Sequence, residues 1–74
     1  MLVEIFRRAG APERVLKRVE EVERRFKAGA ITAEEAYYSL LGIAFEEAIP
    51  LWPRDVGDIR AALGLPRSRP PLSE

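Results

Sequence analysis

A chain of 74 residues with 12 acidic and 12 basic side chains has room for one domain and no net charge to hold it on nucleic acid or an anionic membrane, short of a local patch. Cysteine and histidine are both absent, which excludes disulfides, thiolate zinc sites, and the commonest catalytic base and transition-metal ligand. So short a chain needs good helix packing or self-association to bury enough surface, and its apolar runs are far too short to span a membrane.

Taken in chain order, the sequence predicts helices and no strand. Leu2 to Arg8 reads as one or two helical turns broken by Ala9-Gly10-Ala11. Pro12 suits the first position of a second helix, where its missing N–H costs nothing, and Glu13 suits the positive end of the helix dipole. Val15, Val19, Val22 and Phe26 then recur at spacings of four, three and four, one apolar stripe widened by Leu16. The other faces are charged. Glu13–Lys17, Glu20–Arg24, Glu21–Arg25 and Glu23–Lys27 are i,i+4 pairs with the acid first, each worth roughly 0.2–0.5 kcal/mol on a helix surface.

Gly29 ends this helix at the position where glycine is unstrained. Thr32 reads as the N-cap of the next, with Glu35 completing a capping box and Ile31 and Ala36 placed as a weak hydrophobic staple. The short connection predicts an antiparallel hairpin. The second hairpin helix, Ala33 to about Ile49, has a polar strip of only Glu35, Ser39, Gly42 and Glu46. Its apolar arc is about twice the 100° or so that a single neighbour covers, so it is expected to be covered on two sides. Pro50-Leu51-Trp52-Pro53 stops the helix, and Trp52 is expected to pack at that corner. Asp55 reads as the N-cap of a last helix of barely two turns, with Asp58 at N3 and Val56, Ile59 and Leu63 as its apolar stripe before Gly64. From Pro66 to Glu74 the chain is proline-rich and polar.

The fold class expected is therefore all-α: an antiparallel helical hairpin with a short helix at each end. Residues 1–65 form one helical domain, and 66–74 form a flexible, disordered tail. Arg67, Arg69, Pro70 and Pro71 in that tail loosely resemble ligands of polyproline-binding domains, against the plainer reading of a frayed terminus. The absence of Asn, Gln, Cys and His, with arginine in large excess over lysine, fits a thermophilic source, and a GC-rich genome explains part of the same bias. No basic-then-apolar leader opens the chain, so a cytoplasmic location is expected.

Chemistry-bearing constellations are few. The hydroxyls of Thr32, Ser39, Ser68 and Ser73 and the phenols of Tyr37 and Tyr38 stand near no base motif. Glu46-Glu47 diverge on a helix, Asp55 and Asp58 are accounted for as caps, and the glycines form no phosphate loop. No catalytic residue, cofactor or metal site is expected, and the chain does not read as an enzyme.

Two surfaces remain. Arg14, Arg18 and Arg25 fall within about 40° of one another on a helical wheel and could grip phosphates, with Arg7 and Arg8 as an extension, although Glu21 sits in the same flank. Tyr38, Leu41, Phe45 and Ile49 form an apolar stripe that either the end segments cover (Leu2, Val3, Ile5 and Phe6, and the last helix) or a second protein does. The leading expectation is a non-catalytic interaction or assembly module that self-associates, or binds another protein, through this stripe. The alternative is a nucleic-acid-binding regulator using the arginine flank.

The stretch Phe26 to Leu41, FKAGAITAEEAYYSLL, resembles the short helical hairpin of many small helical modules, including SHOCT-type oligomerisation segments. It is also similar to the helical middle of PIN-type nucleases, a likeness that IPLWPRDVGDIRAALGLP continues. The PIN resemblance implies a parallel sheet and several separated acidic metal ligands. The chain has no opening strand carrying an aspartate, only Glu4 near its start, so the resemblance implies a remnant without nuclease activity.

Overall fold

Residues 2–67 are described by the structure, a computed structural model, and among them the chain is helical and contains no strand. The helices are α1 (Leu2–Arg8), α2 (Glu13–Lys27), α3 (Ala33–Glu46) and α4 (Pro53–Ala62). Helices α2 and α3 fold back on each other as the expected antiparallel hairpin, and α1 packs on both α2 and α4. Among the described residues no helix is long and apolar enough to cross a membrane.

Helix α1 is too short to persist by itself; it is held by Leu2, Ile5 and Phe6, which all enter the core. Val15, Leu16 and Val19 of α2 meet Ala36, Tyr37, Leu40, Ile43 and Ala44 of α3, and Ile59 and Leu63 close the core from α4. Burial of each large side chain here stabilises by roughly 1.5–3 kcal/mol.

All four helices end in the same hydrogen-bonded turn. The N–H groups of Ala11, Ala30, Ile49 and Leu65 donate to the carbonyls of Phe6, Arg25, Ala44 and Arg60 at 2.8–3.0 Å, closing a Schellman motif each time. The motif needs a left-handed residue, supplied by Gly10 (φ 93°), Gly29 (φ 79°) and Gly64 (φ 82°), and after α3 by Ala48 (φ 55°). Helix α3 therefore stops at Glu46, three residues short of the expected end at Ile49.

The helix starts differ more. The capping box of α3 forms as expected: Thr32 Oγ1 accepts from the Glu35 N–H at 3.1 Å, and Glu35 Oε1 accepts from the Thr32 N–H at 2.8 Å. Pro12 stands at the N-cap of α2 rather than at N1. In α4 the expectation was off by a full turn. Trp52 is the N-cap, Pro53 occupies N1, and Asp55 at N3 accepts the Trp52 N–H at 3.0 Å. The helix thereby gains a turn at its start, and Asp58 is not a cap but an ion-pair partner of Arg8 and Arg67.

Of the four pairs expected on α2, Glu21–Arg25 (3.0 Å) and Glu23–Lys27 (3.5 Å) form; Arg24 turns to Glu21 instead of Glu20, and Glu13–Lys17 is open. The tail expected from residue 66 begins with two engaged residues. The Pro66 carbonyl accepts from Arg60 Nε, and the Arg67 guanidinium reaches Asp58. Residues 68–74, including Arg69, Pro70 and Pro71, lie outside the described part.

Candidate protein interface

The fold covers α3 on one side, not two. Its inner face rests on α2 and the core, while the opposite stripe faces solvent: Phe45 is 88% exposed and Tyr38 49%. Leu41 is half-buried, bordering the core face. By wheel geometry Tyr38, Leu41 and Phe45 lie within about 60° of one another. Ile49 is displaced from that line. Its N–H closes the turn after α3, and its half-buried side chain packs toward the core. The stripe is thus centred on Tyr38 and Phe45, with Leu41 and Ile49 at its margins. The end segments do not cover it, because α1 spends its apolar residues between α2 and α4.

Tyr38 is braced from behind. Its ring meets that of Tyr37 edge-on, with centroids 5.1 Å apart. Tyr37 is buried, and the Arg60 guanidinium lies over its ring, 4.7 Å from the centroid. Arg60 is itself 4% exposed; Nε is satisfied by the Pro66 carbonyl, while Nη1 has no partner among the described residues. A row Arg60–Tyr37–Tyr38 therefore runs from α4 to the exposed stripe, and a desolvated guanidinium over an aromatic face contributes on the order of 2 kcal/mol. An aromatic held in place before contact loses less entropy on binding.

The arginine flank of α2 is assembled but occupied. Arg14 donates to Glu47 at 2.8 Å, Arg18 bridges Glu46 (3.1 Å) and Glu47 (3.2 Å), and Arg25 donates to Glu21 at 3.0 Å. The Arg14 and Arg18 guanidinia hold the Glu47 carboxyl below its ordinary value of 4.5, the Arg14 hydrogen bond being the largest cause. A phosphate at this flank would have to displace these carboxylates. The open groove of about 620 Å³ between α2 and α3 has the same balance, with Lys17, Arg18 and Arg25 facing Glu21 and Glu46. Arg7 and Arg8 do not extend the patch; Arg7 pairs with Glu4, and Arg8 with Asp55 and Asp58 on α4. Among the described residues no group of three acidic side chains converges as a metal site would require.

Two features escape a reading of spacing. Trp52, expected in the corner after α3, is 70% exposed, because an N-cap residue lies outside its helix and its side chain need not enter the core. The placement of a tryptophan directly before a proline that starts a helix is the signal that could have found it. The second is Gly42, an exposed mid-helix glycine with nothing within 4 Å of where a Cβ would lie. Compared with known proteins, the chain matches no family model, no curated protein and no solved structure.

Proposed function

We propose that this chain is a non-catalytic assembly module that associates with a second copy of itself through the outer face of α3. The observation that carries this reading is Phe45, a large apolar side chain left 88% exposed in a helix whose other side is fully packed. Tyr38, Leu41 and Ile49 extend its surface. With aromatic side chains of 150–250 Å², the stripe exposes on the order of 400 Å², the size at which patches on monomers are often functional. That is about half of the roughly 800 Å² per partner in a standard interface, so the association is weak and reversible. A second copy is the fitting occupant because two apolar stripes of this kind cover each other and a two-fold arrangement closes without leaving an open surface.

Light scattering over a wide concentration range tests the proposal. The wild-type chain is expected to pass from monomer to dimer, and Phe45→Glu to stay monomeric with its helical circular dichroism unchanged. A wild-type chain that is monomeric throughout, or a Phe45→Glu variant that still dimerises, overturns it.

A further inference from the structure

Resting on that reading, we infer that the two copies of α3 pair antiparallel, crossing at Gly42, with Tyr38 of one copy level with Phe45 of the other. Gly42 is the first reason. A glycine inside a helix is less favourable than alanine, and here nothing in the chain asks for it. Its φ is not positive, it faces solvent, and a Cβ would meet no atom within 4 Å. On the wheel it lies about 40° from Tyr38 and 60° from Phe45, at the edge where the stripe borders the α2–α3 groove, and between the two along the helix. A missing side chain there permits close approach of another backbone from outside.

Charge is the second reason. Glu34, in the first turn of α3 and in line with the stripe, is exposed and has no ion pair among the described residues. Antiparallel pairing sets the Glu34 side chains of the two copies at opposite ends of the contact and opposes the two helix dipoles. Parallel pairing would set Glu34 against Glu34.

The chain has no cysteine, so introduced ones report without background. Glu34→Cys and Ala48→Cys, both at exposed positions outside the apolar centre, are mixed and treated with a short bis-maleimide. The species are then separated by mass. The mixed 34–48 dimer is expected to dominate. Dominance of the 34–34 and 48–48 products, or failure of all three to form in a chain that dimerises, overturns the antiparallel register while leaving self-association standing. Gly42→Ala supplies the independent check. It is expected to raise the thermal midpoint of the dilute monomer and to weaken dimerisation by about tenfold. Unchanged or tighter dimerisation in Gly42→Ala overturns the crossing point. A wild-type chain that never dimerises removes both the arrangement and the function beneath it.

Discussion

Ala48 carries a backbone angle that Gly10, Gly29 and Gly64 carry at the other three helix ends. A left-handed conformation disfavours an L-residue with a Cβ by about 1–2 kcal/mol, and part of that is returned because alanine also restricts the unfolded chain. Ala48→Gly is therefore expected to stabilise the protein by about 0.5–1 kcal/mol, several degrees in thermal midpoint for a chain of this size. Differential scanning calorimetry on dilute protein measures it, and an unchanged or lowered midpoint would show that the turn bears no strain. Gly29, at φ 79°, is the control, since Gly29→Ala should lower the midpoint. The same residue explains why the end of α3 was misplaced by three positions. With no glycine at the stop, Glu47-Ala48-Ile49 continues an amphipathic pattern that only the three-dimensional turn interrupts.

At the scale of elements, the hairpin is clasped by Glu47, whose carboxylate receives both Arg14 and Arg18 from α2. Its pKa lies below 4.5 when folded and returns to that value on unfolding, so its stabilising contribution is full above pH 4.5 and is lost as the pH falls through the folded value. Asp58, lowered first by its hydrogen bond from Arg67, behaves in the same way below 3.8. Urea titrations across this range are expected to show Glu47→Gln less stable than wild type at neutral pH, with the difference vanishing in acid. A difference that persists in acid would assign Glu47 a role in packing and not in charge. This clasp joins residues 29 and 33 positions apart, which is why it was not legible in the sequence. Spacing identifies i,i+4 neighbours, and even there Glu21 drew Arg24 away from Glu20. Capping chemistry was legible where one register fits, as at Thr32 and Glu35. It was ambiguous where two fit: Asp55 and Asp58 are three apart, so each can be read as cap or N3 until Pro53 is recognised as the first helical residue. The stripe of Tyr38 and Phe45 was legible as apolar, but whether α1 covered it depended on where α1 packs.

For the molecule as a whole, stability and assembly are coupled. One short core joins four helices, and Phe45 at the centre of the outer stripe of α3 adds nothing to it while the chain is alone. If a second copy covers that stripe, only folded chains associate, and mass action stabilises them. Each tenfold rise in concentration above the dissociation constant then adds about 0.7 kcal/mol per monomer, half of the 1.4 kcal/mol that a decade of affinity represents. For a domain of this size the thermal midpoint should climb by about 3–5 °C per decade. In Phe45→Glu the midpoint should be independent of concentration and equal to that of dilute wild type, because a side chain 88% exposed leaves the monomer core intact when it is replaced. A Phe45→Glu midpoint well below the dilute wild-type value would instead place Phe45 in the monomer core, and a flat wild-type midpoint would mean that this face never meets its copy.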